Sequence, residues 1–257
     1  MAPELVHRSI TRGIATITLD SPRNRNALSA QLRRELTDHL DAALADDAVR
    51  VIVLDHTGPV FCAGMDLREA RGTGTEDQGV NEFPAILERI WTSPKPVVAK
   101  VAGPARAGGV GLMAACDIVV AVETAEFAFS EVRLGLVPAV ISATVLPRLA
   151  PHAAHELFLT GEKFGARRAA EIGLVNAAVP AEDLDATVRR YTQALLLGGP
   201  TALATTKKLL RGSSFEGLAG QVAELQALSA RFFGAAEGQE GITAFAQKRP
   251  PSWVPAE

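Results

Sequence analysis

The sequence predicts an α/β fold in which a strand, a glycine-bearing turn and a helix recur, followed by a tail made only of helices. Three observations point to it. Short β-branched and apolar runs alternate with stretches of helical period over residues 1–199. Glycine turns follow two of these runs, at Ala63-Gly64-Met65 and Gly108-Gly109-Val110. No strand signal survives beyond Pro200. The expected organisation is a core over 1–199 and a helical region over 200–257.

The elements follow in order. Residues 14–19 (Ile14, Ala15, Thr16, Ile17, Thr18, Leu19) alternate as a strand does. The polar stretch 20–26 is a turn. Ser29 is placed to cap a helix whose Leu32, Leu36, Leu40 and Leu44 recur every four residues. Val51-Ile52-Val53-Leu54 is continuously apolar, which suits a strand buried on both faces. Residues 71–79 are rich in Gly and polar groups and predict a mobile loop. Ile86, Leu87 and Ile90 share one face of a helix over 83–91. A strand over 97–101, a glycine loop and a short helix through Ala115 come next, then strands at 118–122 and 127–129. Pro138 and Pro147 break the apolar segment after Glu131. A helix over 166–172 stops at Gly173, and the chain returns as a strand by Val179. Leu218, Val222, Leu225, Leu228 and Phe232 mark one face of a long helix, and 241–248 form another.

Composition narrows the function. Hydrophobic residues are 47% and charged residues 21%, the balance of a globular chain that needs no metal or disulfide to build a core. A net charge of −3 and only 5% aromatics argue against a nucleic-acid partner. Two cysteines, Cys62 and Cys116, make no disulfide framework and fit a reducing compartment. The first twelve residues carry Glu4 and no apolar run, unlike a signal peptide. The longest apolar stretch, 134–146, contains Pro138 and falls short of the ~20 residues that span a bilayer. A cytoplasmic protein without a membrane partner is expected. His152 and His155 come without a ligand set for a metal. Lys207 and Lys208 read as solvated helix positions, and Cys62 as a small packed residue.

The chemistry concentrates at the two glycine turns. The first N–H groups of a helix have no partner within it and lie at its positive end. Glycine lets such a backbone approach a ligand closely. If the two strands are neighbours, one N–H from each turn can hold the same oxygen, and together they form an oxyanion hole. Both turns can equally be plain connections. A third reading takes Gly109-x-Gly111-x-x-Ala114, with Glu123 beyond it, as a loose dinucleotide fingerprint, although Glu123 comes too early for that motif.

Three blocks together resemble the crotonase superfamily, and within it the enoyl-CoA hydratase/isomerase family. They are Phe61-Cys62-Ala63-Gly64-Met65-Asp66-Leu67, Gly108-Gly109-x-x-Leu112 with Cys116-Asp117-Ile118, and Phe127-x-x-Ser130-Glu131-Val132-x-Leu134-Gly135-Leu136-Val137-Pro138. The segments Leu159-Thr160-Gly161-Glu162, Ala169-x-x-Ile172-Gly173-Leu174-Val175 and Glu240-Gly241-x-x-Ala244-Phe245-x-x-Lys248-Arg249 also fit. The resemblance implies a crotonase-like spiral of β-β-α units, with a C-terminal helical region that packs on neighbouring copies in a homotrimer or hexamer. It implies an acyl-CoA thioester substrate and no further cofactor, since coenzyme A enters as part of the substrate. Met65 and Gly108 stand where the family's two oxyanion donors stand. Arg23, Arg25, Arg68 and Lys248 fall where cations would meet the phosphates of coenzyme A. The carbonyls of Arg25, Ala27 and Ala63 fall at the adenine end, and Asp66 and Leu67 lie beside the oxyanion turn.

Family hydratases typically use two glutamates. The second matches Glu131, whose apolar neighbours Phe127, Phe129 and Val132 can raise its pKa toward working pH. The alternative for Glu131 is a surface position or an ion pair with Arg133. The first glutamate's position is occupied by Gly111. Three explanations stand side by side. Glu131 does both jobs, a carboxylate from the 76–82 segment enters the site, or the reaction is a Δ3,Δ2-enoyl-CoA isomerisation that needs one base. A catalytically silent CoA-binding protein is the remaining alternative. Arg106, within the glycine loop, either shapes the acyl pocket or pairs with a carboxylate.

Overall fold

The computed structural model describes residues 3–69, 82–211 and 213–252. The 71–79 loop, and with it Glu76, lies outside these residues. The chain begins with β1 (Val6–Thr11) and β2 (Ile14–Leu19), then α1 (Ala30–Ala45), β3 (Val51–His56), α2 (Phe83–Thr92), β4 (Val97–Val101) and β5 (Ala105–Arg106). There follow α3 (Gly108–Ala115), β6 (Ile118–Val122), β7 (Glu126–Ala128), α4 (Ala139–Val145), α5 (Pro151–Thr160), β8 (Phe164–Gly165), α6 (Ala166–Glu171) and β9 (Ala177–Val179). Helices α7 (Leu184–Leu196), α8 (Pro200–Arg211), α9 (Ser213–Phe233) and α10 (Ala236–Gln247) complete the chain.

A six-stranded sheet runs in the order β1-β2-β3-β4-β6-β9, and a three-stranded sheet in the order β5-β7-β8. In the large sheet only the β1–β2 pair is antiparallel. Strands β2, β3, β4, β6 and β9 pair in parallel. Parallel neighbours need helices on their faces, which is why Val51, Ile52, Val97 and Val98 are fully buried. Ser29 caps α1 as expected, its hydroxyl accepting from the Leu32 N–H at 3.3 Å. Leu32, Leu36 and Leu40 are buried on the face that this start defines.

Several expectations need correcting. The first strand is β1, in which three charged or polar side chains (His7, Arg8, Ser9) interrupt the apolar alternation. Pro138 and Pro147 do break the apolar segment, since Pro138 precedes α4 and Pro147 lies between α4 and α5, but the pieces between them are helices. Pro151 opens α5, where a missing N–H is harmless. Lys207 is buried, not solvated: its Nζ lies 2.8 Å from Asp117 and donates to the Ile90 carbonyl at 3.0 Å. Helical period alone does not reveal the Asp117 carboxylate and Ile90 carbonyl that draw Lys207 inward.

The helical tail is not separate from the core. Helix α9 packs on α2 and α4, and α10 packs on the 3-10 turn Ser130–Leu134. That last approach is close: a Cβ on Gly241 would stand 2.1 Å from the Leu134 carbonyl oxygen. Leu136, Phe233 and Ile242 form a small buried cluster there, and Leu67 packs against it.

Candidate active site

The structure joins the two glycine turns. A bridge pairs Cys62 with Ala105, and the Arg106 N–H donates to the Cys62 carbonyl at 3.0 Å. Two glycines permit the contact. Gly64 has φ +87°, and a Cβ there would stand 3.0 Å from the Arg106 carbonyl and 3.4 Å from the Gly108 nitrogen. A Cβ on Gly109 would stand 2.4 Å from the Cys62 carbonyl. Ala107 between them has φ +46° and ψ −120°, an unfavourable backbone for a residue with a Cβ. This bend starts α3 at Gly108. Among the described residues, neither the Met65 N–H nor the Gly108 N–H donates to a protein acceptor. Both residues line one cavity of about 640 Å³.

Glu131 lines the same cavity, at the start of the 3-10 turn. It is the only carboxylate among the described residues of that lining. The residue is half-buried, but its Oε2 is buried and has no hydrogen-bond partner among the described residues. Burial pushes the carboxyl up to about 7, against a smaller downward pull from its own backbone N–H. The alternative pairing with Arg133 is not made: the Arg133 Nε donates to the Thr160 carbonyl at 3.0 Å.

The structure accounts for the absence of a second glutamate at position 111. Gly111 is buried in α3, and a Cβ there would stand 2.4 Å from Cγ2 of Ile141 in α4. The Thr144 hydroxyl donates to the Gly111 carbonyl at 3.1 Å, fastening α4 over that position. The space for a side chain is filled by Ile141. Nor does Glu82 supply the missing acid. It pairs with Arg33 at 3.2 Å and does not line the cavity.

The same packing removes the dinucleotide reading. Gly109 and Gly111 face Cys62 and Ile141, so no pyrophosphate fits over them. Glu123 pairs with Arg167 at 3.2 Å. Burial pushes the Cys62 thiol up to about 12, which suits packing and not nucleophilic attack. Among the described residues no three His, Cys, Asp or Glu side chains gather as metal ligands would.

Of the residues singled out from the sequence, the cavity takes in Arg25, Ala63, Met65, Leu67, Gly108 and Glu131. Arg23, Ala27, Asp66, Arg68 and Lys248 do not line it. Ala27 is buried, while Arg23, Arg68 and Lys248 are exposed. Asp66 accepts from the Arg68 N–H at 3.0 Å. Asn26 holds this rim. It is fully buried, and its side chain bonds to Ser21, Thr57 and Val60, fixing the turn from which the Arg25 carbonyl receives the Ala63 N–H at 3.1 Å. Arg106 both lines the cavity and pairs with Glu126 at 3.2 Å. Sequence reasoning missed Phe83, Lys163 and Phe233 in the lining. They come from distant elements.

A sequence pattern describing the enoyl-CoA hydratase/isomerase family matches residues 9–255. The chain belongs to the enoyl-CoA hydratase/isomerase family. Relatives of this family resemble it along its length. A Rhodobacter capsulatus protein named "Probable enoyl-CoA hydratase" is 36% identical over 257 residues, covering 99% of each chain. The human "Enoyl-CoA hydratase domain-containing protein 3, mitochondrial" is 36% identical over 94% of this chain and 80% of its own. A crystal structure of an enoyl-CoA hydratase from Mycobacterium avium superposes with a TM-score of 0.89 at 42% identity, covering 98% of this chain and 100% of that one. The fold is therefore crotonase-like, as the resemblance implied. It is shared with a methylmalonyl-CoA decarboxylase structure at 24% identity and a TM-score of 0.83, a likeness of fold alone.

Proposed function

We propose that this family member is an enoyl-CoA hydratase that adds water across the 2,3 double bond of a 2-enoyl-CoA thioester. The observation that carries the reading is the buried Glu131 Oε2 in the same cavity as the N–H groups of Met65 and Gly108, all three without a hydrogen-bond partner among the described residues. In this mechanism the two amides hold the thioester oxygen and stabilise the enolate that forms as water attacks C3. Each such donor is worth about 3 kcal/mol of transition-state stabilisation. Glu131 takes a proton from the attacking water as its oxygen bonds to C3, and returns that proton to C2 as the enolate collapses. One carboxyl thus acts as base and then as acid, and its pKa of about 7 serves both steps near neutral pH.

The rest of the site fits this substrate. The mainly apolar wall from Leu136 to Ile141 suits an acyl chain. Arg25 at the rim, with Arg23, Arg68 and Lys248 outside the cavity, serves the phosphates of coenzyme A. The carbonyls of Arg25, Ala27 and Ala63 serve its adenine end, and Asp66 and Leu67 flank the thioester. Coenzyme A arrives with the substrate and no other cofactor takes part. The reaction belongs to fatty-acid and lipid metabolism, in the cytoplasm, with the chain assembled as a homotrimer or hexamer through its helical region.

One observation favours a second reading. With Gly111 sealed under Ile141, a single carboxylate lines the cavity among the described residues, and a Δ3,Δ2-enoyl-CoA isomerisation needs just one. Two assays separate the readings. Hydration of crotonyl-CoA removes the absorbance of the conjugated thioester, whereas isomerisation of a 3-enoyl-CoA creates it. Turnover in the first assay is expected. Turnover in the second alone overturns the hydratase reading in favour of the isomerase, and binding without turnover in either leaves a silent CoA-binding protein.

A further inference from the structure

Strands β3 and β4 pair from Ile52–Val97 to Leu54–Ala99, and their ladder stops there. Past each strand the chain leads to one of the two oxyanion turns. His56 joins the two segments where the ladder has ended. It is the last residue of β3 and only 8% exposed. The Ala102 N–H, just past β4, donates to the His56 Nε2 at 3.0 Å. An Nε2 that accepts carries no proton, so the ring is neutral with its proton on Nδ1, which donates to the Thr57 carbonyl at 3.3 Å. Burial draws the pKa of His56 below its ordinary value, against an upward pull from that carbonyl, and so keeps the acceptor available at neutral pH.

Beyond this contact the two segments stay together. A Cβ on Gly103 would stand 2.2 Å from the Pro59 carbonyl oxygen. The Phe61 N–H donates to the Pro104 carbonyl at 3.0 Å, and the Arg106 N–H donates to the Cys62 carbonyl at 3.0 Å. Phe61, fully buried, meets the His56 ring in a T-shaped contact with centroids 5.4 Å apart. The Asn26 Nδ2 donates to the Thr57 and Val60 carbonyls at 3.0 and 2.8 Å, which fixes the turn that His56 also grips. His56 does not line the cavity, so no proton passes from it to a substrate there.

We propose that neutral His56 is a positioning residue of the oxyanion hole: by bridging the ends of β3 and β4 it sets how far apart the N–H groups of Met65 and Gly108 stand. This rests on the reading of those two amides as the donors to the thioester oxygen. Without the acceptor the first tie between the segments is lost while the later ones remain, so the donors shift slightly and the cavity keeps its shape. A hole of altered width loses its fit to the enolate oxygen more than its hold on the substrate. The loss therefore falls on kcat and not on KM.

The test compares two variants of the full-length protein. His56→Phe keeps a ring against Phe61 and removes the acceptor, whereas His56→Gln offers an amide oxygen to the Ala102 N–H. His56→Phe should lower kcat for crotonyl-CoA by about tenfold to a hundredfold, the scale on which misplaced groups are felt, with KM changed by less than about threefold. His56→Gln should recover most of that kcat. An unchanged kcat in His56→Phe, or an equal loss in both variants, overturns the proposal. The hole is also read without turnover, from the absorbance of bound acetoacetyl-CoA as its enolate, which His56→Phe should reduce in the same proportion. A parent that forms this enolate but turns over nothing defeats the hydratase reading alone, and the enolate comparison then decides for His56. A parent that forms no enolate overturns the hole and the role of His56 with it. If His56→Phe does not fold, the parent carries the test: its histidine 15N resonances at pH 7, with His56 assigned by its loss in His56→Gln, should show a bare Nε2 and a protonated Nδ1. The other tautomer or an imidazolium overturns the proposal.

Discussion

Glu131 carries a pH dependence whose sign follows from its burial. Its carboxyl is raised from about 4.5 in the unfolded chain to about 7 in the folded one, so between those values the folded state binds the extra proton. This group's contribution to stability is fully present below the lower value and is lost as pH rises through the upper one. Glu131→Gln abolishes that dependence, and unfolding in urea at pH 8 should find the variant as stable as the parent or more so. Its turnover of crotonyl-CoA should nonetheless fall by about a hundredfold to ten-thousandfold, the usual worth of a positioned acid–base group. In the parent, kcat/KM should rise with pH through an apparent pKa near 7, because the ionised carboxylate takes the proton from water. A flat profile over pH 5–9 would remove Glu131 from that role. The identity of this residue was legible from its motif, but its missing partner was not. Phe127 and Phe129 signalled an apolar setting, whereas the unpartnered Oε2 depends on how Arg133 turns away to Thr160.

At the scale of elements, the pairing of α3 with α4 decides the chemistry available. Gly111→Glu does not restore a second acid, since its Cβ would stand 2.4 Å from Ile141. Overpacking of this kind destabilises by about 1–3 kcal/mol. Thermal unfolding should show that loss, and a further Ile141→Ala should recover much of it. Helix α1 offers a simpler check. Ser29→Ala removes the hydroxyl that accepts the Leu32 N–H and should lower stability by about 1 kcal/mol without altering KM. Helices with an even apolar period, such as α1 and α2, were readable because one face alone is buried. Helix α4 was not. Ala139, Val140, Ile141, Ala143, Thr144 and Val145 are all buried, so no period separates its faces. The short strands β5 and β8, two residues each, carry too few positions to show an alternation.

For the whole molecule, the helical tail serves the core twice. Phe233 and Phe245 line the cavity that holds Glu131, and Lys207 and Arg211 lie at the other end of the sheet. Leu197, Leu209 and Leu210 are more than three-quarters exposed on the same region, an apolar surface that an assembly would cover. Light scattering should accordingly give three or six times the 27.1 kDa of one chain, and a mass of one chain would refute the assembly.

By itself the sequence determined the α/β class, the buried strands, the two glycine turns and the single glutamate in its motif. Each rests on neighbours along the chain: a periodicity, a cap, a turn residue. Only the tertiary structure decided that the turns meet through Gly64 and Gly109, and that Ile141 fills the place of a second acid. Those outcomes depend on close approach between residues far apart in sequence, and a close contact is set by packing volume, which no local pattern records.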